Sequence, residues 1–159
     1  MANNLEIERK FLINALPENL SDFPQSKICQ AYLLAFPTVR IRKNDEKYEL
    51  TYKGPGGLTH PEYNLPLTEE GYLHLLEKAD GKVIEKTRYK IPFGKFLIEL
   101  DIFEGHMKGL IMAEVEFDSE EEALAFDRPC WFGMDVTDDK RYKNAYMALQ
   151  AESYERDYK

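Results

Sequence analysis

Short segments in which apolar and polar residues alternate dominate the chain. In Leu5–Phe11 the charged residues Glu6, Glu8 and Lys10 fall on one side of an extended strand, and mostly apolar residues fall on the other. The same period of two predicts eight strands, at about residues 5–12, 27–35, 38–43, 47–53, 59–67, 83–91, 95–104 and 110–118. So many closely spaced strands favour an antiparallel barrel or sandwich.

Three helices are predicted between and after these strands. Thr68 can cap one helix, and Ser119 opens a capping-box pattern at the start of a second. A last helix is expected to start after Asp138 or Asp139 and to run to about Ala151. The expected class is therefore α+β with antiparallel strands in the majority.

Length and charge narrow the range of functions. The 159 residues suffice for one domain, which we assign to residues 1–151, followed by a polar and loosely ordered tail at 152–159. The net charge of −8 argues against a general nucleic-acid binder. Apolar runs such as residues 31–36 are too short to span a bilayer, and the amino terminus lacks a signal-peptide pattern. We therefore expect a cytoplasmic protein with no membrane partner.

Charged residues of like sign recur two positions apart on strand after strand. The doublets are Glu6/Glu8, Arg40/Arg42, Lys86/Arg88, Glu99/Asp101 and Glu114/Glu116. Like charges so placed repel, so their repetition carries an energetic cost. One interpretation is an open sheet with its charged face in water. We favour a closed sheet whose charged faces enclose a lumen while its apolar faces pack outward against helices, which inverts the usual small barrel.

Such a lumen would bring cations and carboxylates together. The six cations are Lys10, Arg40, Arg42, Lys53, Lys86 and Arg88. The seven carboxylates are Glu6, Glu8, Glu62, Glu99, Asp101, Glu114 and Glu116. Charges withdrawn from water need partners. A polyphosphate carrying Mg²⁺ or Mn²⁺ satisfies both groups, because Arg and Lys bind phosphoryl oxygens and carboxylates share the metal with them.

Charged and polar motifs follow one another in a fixed order along the chain: Glu6-x-Glu8-x-Lys10, Gln30-x-Tyr32-Leu33, Arg40-x-Arg42, Lys53, Glu62, residues 85–89, Glu99-x-Asp101, Glu114-x-Glu116 and residues 139–144. In this order the sequence resembles the CYTH, or triphosphate tunnel metalloenzyme, superfamily, and its short bacterial single-domain branch in particular. The first motif matches the E-x-E-x-K signature of that superfamily. One departure is Asn64, since the family often has an acidic residue there.

The resemblance implies an eight-stranded tunnel barrel with flanking helices, metal-dependent hydrolysis of triphosphate compounds, and often a homodimer. Inorganic triphosphate is the expected substrate. The expected phosphate contacts are Lys10, Arg40, Arg42, Lys53, Lys86, Arg88, Lys140 and Arg141. The expected metal ligands, for Mg²⁺ or Mn²⁺, are Glu6, Glu8, Glu62, Glu99, Asp101, Glu114 and Glu116. Catalytic roles are expected for Glu8, Lys10, Lys86 and Arg88.

Other activities stay open at this point. The same superfamily includes adenylate cyclases and thiamine triphosphatases. From another class comes a polyphosphate-binding module without catalysis, but the largely intact acidic rows favour an enzyme.

Cysteines and histidines suggest no separate chemistry. Cys29 and Cys130 are too few for a disulfide framework. His60, His74 and His106 lack the spacing of metal ligands, which favours surface or structural roles.

Overall fold

The structure is a computed structural model that describes residues 4–157, with side chains described as far as Gln150. Within this part of the chain lie nine strands: β1 (Leu5–Ile13), β2 (Gln25–Leu34), β3 (Thr38–Asn44), β4 (Lys47–Lys53), β5 (Thr59–Leu67), β6 (Asp80–Phe93), β7 (Phe96–Glu104), β8 (Ile111–Glu116) and β9 (Phe132–Asp135). The helices are α1 (Glu69–Leu76), α2 (Glu120–Ala125) and α3 (Asn144–Asp157). Single 3₁₀ turns occur at Leu20–Asp22, Gly105–Met107 and Lys140–Tyr142.

Eight of the strands form a closed antiparallel barrel. Neighbouring strands pair in the order β5-β4-β3-β2-β6-β7-β8-β1, and β5 pairs again with β1 to complete the circle. Residues 5–7 of β1 pair with β5, and residues 8–12 pair with β8. The short β9 pairs with the far end of β1, at Phe11 and Ile13. The predicted eight-stranded barrel is confirmed, and β9 is an addition that the alternation did not predict.

The apolar side of each strand faces outward, beneath the helices and loops. One cluster of buried side chains includes Phe11, Leu100 and Val115 together with Phe126 and Phe132. These strand residues alternate in sequence with charged ones, so the charged side chains must point to the opposite face. Each large apolar side chain buried in this way stabilises the fold by roughly 1.5–3 kcal/mol.

A second cluster covers the opposite part of the barrel. Ala31 and Ile41 pack beneath Tyr72 of α1. The Thr68 side chain accepts a hydrogen bond from the Gly71 amide, which confirms the predicted cap of that helix. The Ser119 side chain caps α2 in the same way. Helices α1 and α2 therefore pack on the outside of the barrel and begin at the predicted caps.

At one end of the barrel the ionic rows change to apolar residues. The side chains that fill this end are Leu12, Tyr32, Ile84, Phe103 and Met112. Met147 and Ala148 of α3 pack against them. Gly81 of β6 allows this close approach, because it has a positive φ of 69° and any Cβ there would collide with the Ala148 carbonyl oxygen. Helix α3 thus closes one end of the lumen.

The carboxyl-terminal helix differs from its predicted bounds. The segment after Asp139 is first a 3₁₀ turn, and α3 begins only at Asn144. It continues to Asp157, beyond the predicted end near Ala151, so much of the expected loose tail is helical. None of the helices in residues 4–157 has the length and apolar character needed to cross a membrane.

Candidate active site

The ionic rows face one another across the inside of the barrel. Lys53 of β4 contacts Glu6 and Glu8 of β1, although β5 lies between those two strands. Arg88 of β6 contacts Glu114 of β8 across the intervening β7. Contacts between strands that are not neighbours require a shared interior. The enclosed ionic lumen that the sequence predicted is therefore confirmed.

On one side of the lumen, cations and carboxylates form ion pairs with each other. We call Lys86, Arg88, Glu99, Asp101 and Glu114 the paired cluster. The Arg88 guanidinium donates from Nε to Asp101 Oδ1 at 2.7 Å, from Nη2 to Asp101 Oδ2 at 2.8 Å, and from Nη1 to Glu99 Oε2 at 2.8 Å. Lys86 Nζ lies 2.8 Å from Asp101 Oδ2. Both oxygens of Asp101 are therefore occupied by cations.

Burial determines how the paired cluster titrates. The Lys86 side chain is 0% exposed, and burial lowers its pKa to about 8 even though Asp101 favours the charged form. Burial alone would raise the pKa of Asp101, but Arg88 and Lys86 outweigh it and hold that pKa below the ordinary value. Likewise, Lys10 and Arg88 overcome burial and keep the pKa of Glu114 well below its usual range. These carboxylates stay ionised at neutral pH.

A second group of cations, on β3, lacks close ionic partners. Arg40 Nη2 donates to the Thr51 hydroxyl at 2.9 Å, while the nearest carboxylate, Glu49, lies at 4.0 Å. Arg40 Nε is buried and has no hydrogen-bond partner. Arg42 donates through Nε and Nη2 to the amide oxygen of Gln30. Burial and then the nearby charges of Arg40 and Arg88 lower the pKa of Arg42 to about 10.

These arginines form one wall of a cavity of about 450 Å³ at the lumen. We call its cationic lining, which comes from β1, β3, β4 and the segment before α3, the basic wall: Lys10, Arg40, Arg42, Lys53, Lys140 and Lys143. Of the carboxylates among the described side chains, only Glu8 and Glu114 line the same cavity. In a protein of net charge −8, this is a local excess of positive charge. The cavity is thus suited to an anion with several charges.

At the seam between β1 and β5, carboxylates gather around one lysine. We call Glu6, His60 and Glu62 the seam cluster. Lys53 Nζ lies 2.8 Å from Glu6 Oε1 and 3.6 Å from Glu62 Oε2. His60 Nε2 lies 2.9 Å from the same Glu6 oxygen. The ligand atoms of the seam cluster lie within 4.8 Å of one another, a spacing that suits one metal ion.

The seam cluster holds more negative charge than its single lysine neutralises. Burial, together with the nearby Glu8, raises the pKa of Glu6 to about 7. For Glu62, the hydrogen bond with Glu6 and the charge of Lys53 overcome burial and lower the pKa to about 2. Asn64 donates to Glu62 Oε1 at 2.8 Å and accepts from Thr51. The departure at Asn64 therefore holds one oxygen of Glu62 and leaves Oε2 buried without a hydrogen bond.

Two further carboxylate pairs face each other directly between neighbouring strands. Glu8 of β1 lies opposite Glu116 of β8, and Glu99 of β7 lies opposite Glu114. Burial first, and then the charges of Glu62, Glu8 and Glu99, raise the pKa of Glu116. Like charges directly opposite each other destabilise a sheet unless a cation lies between them. This donor set, all carboxylate oxygens, is the kind that Mg²⁺ and Mn²⁺ prefer.

Comparison with known proteins agrees with this geometry. The model of the CYTH domain family matches residues 4–127. The chain belongs to the CYTH domain family. It is 43% identical over 150 residues to the inorganic triphosphatase of Nitrosomonas europaea, covering 91% of this chain and 97% of that protein. It is 34% identical over 148 residues to the inorganic triphosphatase of Acetivibrio thermocellus, covering 88% and 90%.

A solved structure extends the likeness to the whole fold of this CYTH protein. The crystal structure of an inorganic triphosphatase superimposes with a TM-score of 0.68 at 37% identity, covering 94% of this chain and 96% of that one. The recognition of the family from the E-x-E-x-K pattern is therefore confirmed.

The structure separates the residues that the sequence grouped together. Of the predicted phosphate contacts, five line the cavity of this CYTH domain: Lys10, Arg40, Arg42, Lys53 and Lys140. Lys86 and Arg88 instead belong to the paired cluster and lie outside that lining. Arg141 also lies outside it and pairs with Asp139 beside it in the chain.

Some cavity residues were not assigned a role from the sequence, although Lys143 and Asn144 lie in the family match at residues 139–144. Lys143, Asn144 and Tyr146 line the cavity where the chain enters α3. Lys10 donates to the Tyr142 carbonyl oxygen, and Lys86 donates to the Asn144 side chain. His60, for which a surface or structural role was expected, also lines the cavity. Only strand register and the closing helix bring these residues in, and neither is visible in local sequence.

Proposed function

We propose that the protein hydrolyses inorganic triphosphate to pyrophosphate and orthophosphate, with Mg²⁺ or Mn²⁺ as cofactor. The observation that carries this proposal is the basic wall, where Arg42 donates to a neutral amide and Arg40 has no carboxylate of the described side chains closer than 4.0 Å, in a cavity that carboxylates border. Two relatives at 43% and 34% identity are inorganic triphosphatases, which supports the same reaction.

The basic wall binds the phosphate chain. Arg40 and Arg42 stand two residues apart on β3, so their guanidinium groups can grip successive phosphoryl groups. Lys53 and Lys10 approach from β4 and β1, and Lys140 and Lys143 approach from the segment before α3. Positive charge fixed in this way also stabilises the charge that develops on the leaving pyrophosphate.

The carboxylates fit a divalent metal. Glu6 and Glu62 in the seam cluster, with Glu8, Glu99, Glu114 and Glu116, would hold it, and the orphaned Glu62 Oε2 supports this assignment. When bound, the metal would neutralise phosphate charge and lower the pKa of a coordinated water. For Asp101 we favour a positioning role, because both of its oxygens already accept hydrogen bonds from Arg88.

Hydrolysis then needs one water and one proton acceptor. Glu8 lines the cavity and is the proposed residue that orients the water and takes its proton. The oxygen of the water bonds to the terminal phosphorus as the bridging P–O bond breaks, and the bridging oxygen leaves on pyrophosphate. Lys86 and Arg88 act indirectly: Arg88 holds Glu114, and Lys86 holds Asp101 and Asn144.

The test is a ³¹P NMR time course of tripolyphosphate with purified protein and Mg²⁺ or Mn²⁺. We expect pyrophosphate and orthophosphate in equal amounts, with no reaction in EDTA. Parallel runs with ATP and thiamine triphosphate separate the other candidates, since a cyclase would release pyrophosphate and cyclic AMP. Tight tripolyphosphate binding without any turnover would identify a binding module instead. A homodimer and a cytoplasmic location stay predictions.

A further inference from the structure

His60 takes its place at the site through strand register. In the pairing of β1 with β5, His60 lies directly opposite Glu6. Glu62 is two residues further along β5, and so it falls on the same face as His60. All three side chains therefore meet at the seam that closes the barrel. His60 is outside the acidic pattern from which the family resemblance was recognised.

One hydrogen-bonded contact in the seam cluster has the spacing of two neighbouring ligands in the coordination shell of a metal ion. His60 Nε2 and Glu6 Oε1 lie 2.9 Å apart. Two neighbouring ligands of an octahedral ion with bonds of about 2.1 Å are about 3.0 Å apart. Glu62 Oε2 adds a buried oxygen that accepts no hydrogen bond, with its nearest lysine ammonium at 3.6 Å. His60 also lines the cavity, so an ion can reach it.

The Lys53 ammonium shows that this position accepts a cation. It lies within 4.0 Å of a carboxylate oxygen of Glu6, Glu8 and Glu62. An ion bound at the seam would compete with Lys53 for the oxygens of Glu6 and Glu62. It would also gain a nitrogen ligand, the lone pair of a neutral imidazole.

We propose that His60 Nε2 is a nitrogen ligand of a divalent metal held by Glu6 and Glu62, so that this site selects Mn²⁺ and later transition metals over Mg²⁺ and Ca²⁺. An imidazole ligand suits transition metals, whereas Mg²⁺ and Ca²⁺ prefer oxygen. The inference rests on the proposed metal dependence, but its test does not require turnover.

Electron spin-echo envelope modulation of the Mn²⁺-loaded protein tests the bond directly. We expect modulation from a directly coordinated ¹⁴N nucleus, replaced by a ¹⁵N pattern when the protein is made with ¹⁵N-histidine. This comparison uses the wild-type chain and so does not depend on whether a variant folds. Mn²⁺ bound at the protein without nitrogen modulation would overturn the proposal.

A matched pair of variants then assigns the nitrogen. His60→Gln should abolish the modulation, whereas His74→Gln, at an exposed histidine of α1, should leave it intact. The modulation surviving His60→Gln would also overturn the proposal. Circular dichroism melting of both variants verifies that they are folded.

The ratio of metal affinities measures the selectivity. Loss of a ligand should weaken Mn²⁺ binding by at least about tenfold, since even outer-shell partners typically contribute 10–100-fold. Calorimetric titration should show this loss for His60→Gln, with a clearly smaller change for Mg²⁺. An equal change for both metals would contradict selectivity by His60. If the wild-type protein binds Mn²⁺ through nitrogen yet fails to hydrolyse tripolyphosphate, the proposed reaction fails while this inference stands.

Discussion

The paired cluster and the basic wall use the same kinds of residue for opposite purposes. In the paired cluster, Arg88 is held by both oxygens of Asp101 at 2.7 and 2.8 Å. In the basic wall, Arg42 donates only to a neutral amide, and Arg40 Nε has no partner. We propose that a cation with a fixed counter-ion, such as Arg88, serves the scaffold, whereas a cation without one is ready for a ligand. The difference separates the lumen into two regions, although the charged residues of both show the same alternating pattern in the sequence.

Removing the counter-ion from the paired cluster should have the largest effect. Asp101→Asn keeps the volume of the side chain but leaves Lys86 and Arg88 buried without their main partner. We expect the free energy of unfolding to fall by about 3–5 kcal/mol. Urea denaturation in the absence of metal measures it. The control variant Asp138→Asn, at an exposed position, should change the free energy of unfolding by less than about 0.5 kcal/mol. Similar values for both variants would remove the distinction between scaffold and ligand charges.

Removing a cation from the basic wall should weaken ligand binding without lowering the stability of the fold. Arg42→Gln should leave the free energy of unfolding unchanged or raise it, because it relieves repulsion from Arg40. It should weaken tripolyphosphate binding by roughly 10–100-fold, as expected for the loss of hydrogen bonds to a charged group. Calorimetric titration in EDTA separates binding from turnover. A variant that unfolds easily but binds normally would place Arg42 in the scaffold.

Two cations near α3 test where the basic wall ends. Lys143 lines the cavity, whereas Arg141 lies outside its lining and pairs with Asp139. Lys143→Gln should therefore weaken tripolyphosphate binding several-fold, and Arg141→Gln should change it less. The same titration compares them. The opposite ranking would show that the 3₁₀ turn at Lys140–Tyr142 presents its other side to the ligand.

The smallest effect is expected outside the barrel, at an ion pair open to water. Arg9 Nη2 donates to Asp135 Oδ2 at 2.7 Å, and the Asp135 side chain is 36% exposed. Burial would raise the pKa of Asp135, but hydrogen bonds from Thr137 and Arg9 lower it. A lowered carboxyl pKa stabilises the fold above the ordinary value of about 3.9, and this is lost as pH falls through the folded pKa.

Asp135→Asn should consequently cost no more than about 1 kcal/mol at neutral pH, because exposed pairs are screened. The difference from wild type should shrink in acid and in high salt. Urea denaturation at several pH values and salt concentrations measures it. A loss as large as that of Asp101→Asn would show that exposure does not distinguish these ion pairs.

Local pattern was sufficient for the fold and for the composition of the lumen. Alternation located eight strands, and repeated like-sign doublets such as Arg40/Arg42 indicated that the charged faces enclose a site. The four-residue β9 was not predicted because Phe132–Asp135 is too short to show a period of two. The end of α3 was misjudged because the polarity of the last residues was taken to mean a loose tail.

The sequence could not show which residues of different strands lie opposite each other. Asp101 was predicted as a metal ligand from the family resemblance, and the sequence did not show that register places it opposite Arg88. His60 was set aside for lack of ligand spacing, yet the closing pair of strands places it opposite Glu6. Lys143 reaches the cavity only because α3 returns to the barrel. Each of these depends on contacts between residues far apart in the chain.

A crystal structure of the protein soaked with tripolyphosphate in the presence of EDTA would show whether the basic wall or the paired cluster binds the phosphate chain. We predict the phosphate chain inside the 450 Å³ cavity, with its oxygens on the guanidinium groups of Arg40 and Arg42 and the Arg88–Asp101 pair unbroken. Phosphate bound only outside the barrel, or bound by Arg88 after its separation from Asp101, would contradict the division between the basic wall and the paired cluster.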